Sequence, residues 1–203
     1  SLKNHAMPLR RGLAVRKSST WQTSAPSVAP CCNRLKVTES VGERTNFFVK
    51  ILVTGGAGYI GGTVAELLAE RGHEPVIFDN LCHSRRDLLP AGIPFIQGEL
   101  GDAAALKQIF SSAAEKRPFD GVLHFAALIE AGESMQRPEI YFRNNTASTL
   151  SLFEAMLACG PRRLVFSSTA AVYGEPEAVP IAEDARLQPT NAYGESKLLV
   201  ERM

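Results

Sequence analysis

Tyr193 and Lys197 stand four residues apart in the segment Tyr193-Gly194-Glu195-Ser196-Lys197. On a helix that spacing sets both side chains on one face. A free tyrosine has a pKa of about 10, and a nearby ammonium stabilises the phenolate. Such a pair suits a general acid/base for a hydroxyl that loses its proton while its carbon loses hydride. The spacing alone is common, and a solvated helix face also explains it. It gains weight from Phe166-Ser167-Ser168-Thr169, a strand end running into hydroxyls that can hydrogen-bond a sugar oxygen.

A second chemistry is written near residue 55. Thr54-Gly55-Gly56-Ala57-Gly58-Tyr59-Ile60-Gly61 contains G-x-G-x-x-G at Gly56, Gly58 and Gly61. Gly56 permits a tight turn, Gly58 lets the backbone approach a pyrophosphate, and Gly61 lets a helix pack on a strand. A helix that begins there presents free N–H groups and a positive dipole end to phosphates. The glycines alone are a weak signal; a strand before them and a helix after them are the context the motif requires. Asp79 follows 18 residues after Gly61. A carboxylate there accepts hydrogen bonds from an adenosine ribose and repels a 2′-phosphate, which selects NAD over NADP. Arg85 and Arg86 are the residues that would argue for NADP.

These groups need a scaffold, and the pattern of the chain supplies one. Strands are expected at Val49–Thr54, Glu74–Asp79, Ile93–Gln97, Gly121–Phe125 and Arg163–Ser167. Helices are expected at Tyr59–Arg71, Ala103–Glu115, Pro138–Cys159 and from Ala192 to Met203. Ile60, Val64, Leu67 and Leu68 mark one face of the first helix, Gly72 stops it, and Asp102 is placed to cap the second. Alternating strands and helices predict an α/β fold, a doubly wound parallel sheet of the Rossmann type.

Residues 1–48 read differently. They hold eight Lys/Arg and two acids, against fourteen Lys/Arg and nineteen acids in 49–203. They lack a sustained period and are expected to be a basic, disordered extension. A non-native or dispensable extension is favoured over a transit peptide, whose composition is similar. The domain proper is expected at 49–203, mildly acidic, which gives no electrostatic reason for a nucleic-acid partner. No apolar run reaches the roughly 18–20 residues of a membrane span. Cys31, Cys32, Cys82 and Cys159 fit no zinc or disulfide pattern, so no metal is expected, and reduced thiols in a cytoplasmic protein are the simplest reading.

Residues 49–203 resemble the extended short-chain dehydrogenase/reductases, and within them the sugar-nucleotide 4-epimerases. The resemblance rests on Gly55–Gly61, Phe78–Leu81, His124–Ala127, Gly132–Ser134, Asn144-Asn145, Ser167–Gly174 and Tyr193–Lys197, in the family's order and spacing. It implies that Tyr193 is the acid/base, that Lys197 tunes it and holds the nicotinamide ribose, and that Thr169 hydrogen-bonds the sugar 4-hydroxyl. It implies an NAD site formed by Gly55, Gly58, Tyr59, Ile60, Gly61, Asp79, Asn80, Glu99, Leu100, Phe125, Ala126, Asn145 and Ser167, together with Tyr193 and Lys197. His124 is read as a buried structural histidine. The implied reaction is 4-epimerisation of a UDP-hexose such as UDP-glucose or UDP-galactose through a 4-keto sugar. The implied partners are that UDP-sugar and a second copy in a homodimer.

Three departures qualify the match. Glu99 stands where the family usually has Asp, Ile129 stands where some members have Lys, and the chain stops at Met203. The family continues through further strands and a small substrate-binding domain, so the chain is expected to be incomplete at its C-terminus and inactive by itself. Among related reactions, 4,6-dehydration needs an extra acid and base. The family supplies them directly after the active-site Thr, where this chain has Ala170-Ala171. The Glu that decarboxylases of nucleotide-linked uronic acids carry in this stretch is absent too. A 4-epimerase acting on a UDP-pentose, a UDP-uronic acid or a UDP-N-acetylhexosamine remains an alternative, as does a non-catalytic NAD-binding fragment.

Overall fold

A computed structural model describes residues 48–203. The expected extension, residues 1–48, lies outside the described residues except for Phe48. Five strands form one parallel sheet: β1 (Lys50–Thr54), β2 (Glu74–Asp79), β3 (Phe95–Gln97), β4 (Gly121–His124) and β5 (Leu164–Phe166). Their order is β3-β2-β1-β4-β5, so the chain winds outward in both directions from β1. Register places Thr54 beside Phe78 on one side and beside His124 on the other.

Alternation along the strands explains why both faces are covered. Leu52, Val76, Phe78 and Val122 join a core with Leu106 and Phe110 of α2 (Ala103–Ala114) and Leu152, Ala155 and Met156 of a later helix. Val53 and Ile77 point the other way and pack with Ala65 of α1 (Tyr59–Glu70). Side chains on successive strand positions leave opposite faces, and a sheet apolar on both must be sandwiched between helices. The expected doubly wound Rossmann architecture is therefore the observed one.

Local signals also act as expected. Gly72 takes φ +80° and closes α1. Asp102 caps α2 by accepting from the N–H of Ala105 at 2.9 Å. Two features differ from the sequence reading. The segment after β4 contains a short helix, α3 (Ala131–Gln136), whose six residues carry too little periodicity to stand out. The single long helix expected from Pro138 is broken into α4 (Pro138–Tyr141), a π-helical stretch Phe142–Ala147 and α5 (Ser148–Cys159). The wide turn swings Asn145 into the interior, where it is buried. The last element, α6 (Ala192–Arg202), packs against α3, α4 and the π stretch. Among the described residues no helix is long and apolar enough to cross a membrane.

Candidate functional site

The carboxyl ends of β1, β2, β4 and β5 open onto one cleft of about 1010 Å³. The crevice beyond the strand ends, where the strand order reverses, is where open α/β sheets bind ligands. Here the reversal falls at β1, between β2 and β4.

The glycine loop forms the floor. Gly55 has φ +72°, and a Cβ on it would lie 2.4 Å from the backbone N of Ala126. A Cβ on Gly61 would lie 2.3 Å from the carbonyl oxygen of Gly55. Both glycines are thus required by close approach of backbone to backbone. Gly58 differs: a Cβ there meets only Gly55 O, at 3.3 Å, so its open side is the cleft. Among the described residues no side chain caps α1, and its first residues Tyr59, Ile60 and Gly61 line the cleft. The side chain of Tyr59 is 91 % exposed, so what this turn offers is backbone N–H groups. Uncapped donors beside a missing Cβ fit a pyrophosphate.

Asp79 ends β2 beside this loop. Its carboxylate accepts from the N–H of Ala57 at 3.1 Å and of Leu81 at 2.8 Å, which ties the glycine turn to the strand end. Asn80 donates to Glu99 at 3.1 Å, and Glu99 and Leu100 line the same end of the cleft. Arg85 is paired with Asp87, and the Arg86 guanidinium lies 5.7 Å from the centre of the Phe95 ring. Neither arginine lines the cleft.

Tyr193 and Lys197 project from α6 to the other end. Asn191 caps this helix by accepting from the N–H of Gly194 at 2.8 Å. Lys197 is 3 % exposed, its Nζ donates to the Ser167 carbonyl at 2.9 Å, and it lies 4.7 Å from the centre of the Phe166 ring. Burial pushes its ammonium down to about 8. Ser167, Ser168, Phe125, Ala126, Tyr193 and Lys197 all line the cleft, with Ile129 at its edge. The cleft therefore joins the glycine loop, Asp79 and the Tyr–Lys pair along one surface.

Two expected residues sit elsewhere. Thr169 does not line the cleft; its hydroxyl accepts from the N–H of Ala171 at 3.1 Å and caps a short 3₁₀ turn. Asn145 lies behind the wall, and its amide grips both the N–H and the carbonyl of Leu128, at 2.8 and 2.9 Å. Ser134 belongs to the Gly132–Ser134 stretch of the resemblance, which gives it no role. It is fully buried, donates to the Ala131 carbonyl and accepts from the N–H of Tyr193 at 3.1 Å. Its residue type carries no signal, because a serine that anchors a distant backbone N–H looks like any other. His124 is buried, as expected of a structural histidine, between the hydroxyls of Thr54 and Thr149. Cys82 and Cys159 are free thiols, and the described residues contain no cluster of three His, Cys, Asp or Glu able to hold a metal ion.

Comparison with known proteins follows the same lines. A UDP-glucose 4-epimerase of Streptomyces lividans is 52 % identical over 154 residues, covering 76 % of this chain and 46 % of the relative. A crystal structure of UDP-glucose 4-epimerase from Brucella ovis in complex with NAD superposes with TM-score 0.72 at 38 % identity. It covers 76 % of this chain and 46 % of that one. A Stenotrophomonas maltophila UDP-glucose 4-epimerase with bound NAD and formylated UDP-arabinopyranose gives TM-score 0.71 at 38 % identity, over 76 % and 47 % of the two chains. The chain thus spans about half the length of the curated relatives it matches. The family model for the NAD dependent epimerase/dehydratase family matches residues 51–203, and the chain belongs to that family.

Proposed function

We propose that the protein of which these residues form the cofactor-binding part interconverts UDP-hexoses at C4, with NAD as its resident cofactor. The observation that carries this reading is the single cleft joining an uncapped α1 N-terminus, Asp79 and the pair Tyr193–Lys197. When bound, NAD supplies a hydride acceptor that can return the hydride. The uncapped N–H groups of Tyr59, Ile60 and Gly61 hold the pyrophosphate. Asp79 and Asn80 hold the adenosine ribose, and Glu99 and Leu100 border the adenine end. Asp79 favours NAD because a 2′-phosphate would meet its charge, and with Arg85 paired to Asp87 no guanidinium among the described residues lines the cleft to offset that repulsion. Phe125, Ala126 and Ser167 border the nicotinamide end. Asn145 acts through Leu128, by holding the loop that forms the cleft wall.

Tyr193 takes the proton of the sugar 4-hydroxyl and gives it back after the sugar has turned over. Lys197, one helical turn away, stabilises the negative charge that develops on the phenol oxygen and reaches the nicotinamide ribose. Thr169 hydrogen-bonds the 4-oxygen once its hydroxyl turns from the cap it makes to Ala171. Ala170-Ala171 offers no second proton carrier, which favours epimerisation over dehydration. Relatives with bound formylated UDP-arabinopyranose and with UDP-glucose support a UDP-sugar as the substrate class. The homodimer rests on the resemblance, with Leu150 and Leu157 on the outer face of α5 as exposed apolar surface, 46 % and 63 %.

The test is an assay of the completed protein with UDP-glucose and UDP-galactose, beside its Tyr193→Phe variant. The substitution keeps the ring and removes one hydroxyl, so turnover falls by about 10²-fold or more while NAD binding persists. Retention of more than roughly a tenth of the activity, against that expected loss, would remove Tyr193 from the acid/base role.

A further inference from the structure

A run of buried polar side chains crosses the domain from β1 to α6, and the acid/base reading gives a task to Asn145 alone among them. Thr54, Thr149 and Ser196 are 0 % exposed, His124 1 % and Asn145 2 %. No member can turn to water, so each must be satisfied by another. Thr149 donates its only hydroxyl proton to the Asn145 carbonyl, at 2.6 Å. Its 2.8 Å contact with Nε2 of His124 must then run the other way, with the ring N–H donating to the hydroxyl oxygen. A neutral ring protonated at Nε2 leaves Nδ1 as an acceptor, and Thr54 donates to it at 2.6 Å.

The run continues from Asn145. Its Nδ2 donates to the Leu128 carbonyl at 2.9 Å and to Ser196 Oγ at 3.1 Å. Ser196 donates in turn to the carbonyl of Tyr193 at 2.7 Å. With the ring neutral, each of these hydrogen bonds has one permitted direction, and at Asn145 the run passes from the backbone carbonyl that Thr149 meets to the side-chain amide that meets Ser196. His124 also stacks on Phe166 at 5.6 Å, and Phe166 carries Lys197 Nζ 4.7 Å from its ring centre. π-helical turns such as Phe142–Ala147 often mark functional sites, and here the turn brings Asn145 between the sheet and α6.

We propose that His124, held as the neutral Nε2–H tautomer, is a positioning residue for Tyr193 and Lys197. It orients Thr149, which fixes the Asn145 turn, which sets both the Leu128 loop and the register of α6. The proposal rests on the reading that α6 carries the acid/base pair. Its tests, however, read the scaffold, so they stand or fall apart from epimerase activity.

Two measurements on the completed protein decide it. Long-range ¹H–¹⁵N correlation of the imidazoles should show His124 protonated at Nε2 and bare at Nδ1. A proton on Nδ1, or a mixture of tautomers, overturns the proposal. The second is amide hydrogen exchange in Thr149→Val, which keeps the side-chain shape and removes the hydroxyl. Loss of one buried hydrogen bond should speed exchange at Leu128 and Leu198 by roughly tenfold or more, relative to Val76 and Phe78 in β2. Equal acceleration everywhere, or none at Leu128 and Leu198, means that His124 is packing alone. Should Thr149→Val fail to fold, the tautomer measurement on the unsubstituted chain still decides.

Discussion

Replacing Lys197 by Met should stabilise the domain while impairing the site. Lys197 is 3 % exposed and has no carboxylate partner among the described residues; its compensation is the Ser167 carbonyl at 2.9 Å and the face of Phe166. Its ammonium falls from 10.5 to about 8 because burial disfavours the charged form. At about 1.4 kcal/mol per pH unit, holding that charge costs the fold about 3 kcal/mol at neutral pH. Met fills similar space without the charge and leaves the Ser167 carbonyl short of a donor, a loss of about 1 kcal/mol. The net gain is about 1–2 kcal/mol, or roughly 2–8 °C in Tm for a chain of this size. The pH dependence carries the sharper check. Between pH 8 and 10.5 the unfolded lysine keeps a proton that the folded one has lost, so unmodified stability rises with pH across that window. The advantage of Lys197→Met is therefore full below pH 8 and closes towards 10.5. Urea titrations of both chains at pH 7, 8, 9 and 10 measure it. A variant that melts lower at pH 7, or a gap that ignores pH, would refute the reasoning.

Other outcomes follow from the same geometry. Gly61→Ala drives a Cβ to 2.3 Å from Gly55 O, so the turn must open; we expect a loss of about 1–3 kcal/mol of stability and weaker NAD binding by calorimetry. Asp79→Ala frees the N–H groups of Ala57 and Leu81 and removes the carboxylate proposed to hold the ribose, so NAD affinity should drop and the NAD/NADP ratio narrow; an unchanged ratio would argue against Asp79 as the selector. Thr169→Ser keeps the 3₁₀ cap and the hydroxyl and should be nearly neutral, whereas Thr169→Val should cost about 1 kcal/mol and slow turnover of the completed enzyme. Burial and the Lys197 charge hold His124 down at about 3. The unfolded ring takes up a proton below 6.5 that the folded ring refuses, so stability should fall by about 2 kcal/mol from pH 6.5 to 5, a slope that His124→Gln should lack.

What the sequence determined by itself was local. Gly55–Gly61 announced a strand-to-helix turn because G-x-G-x-x-G is the spacing such a turn needs, and Asp79 and the pair Tyr193–Lys197 were legible because spacing along one element fixes which face a side chain takes. Strand positions were legible because burial on both faces demands near-continuous apolar runs such as Val76–Phe78, and their alternation with helices then pointed to a doubly wound parallel sheet. What only the tertiary structure decided were contacts between residues far apart in the chain. Nothing near Ser134 says that it accepts from the N–H of Tyr193, 59 positions on. A run of Phe142–Ala147 reads as ordinary helix, since the bonds that Asn145 makes from the π turn, to Leu128 and Ser196, join residues far apart in the chain. The direction of each hydrogen bond from Thr54 to Ser196 is likewise a property of the packed interior, because only exclusion of water forces every donor to find its acceptor within the fold.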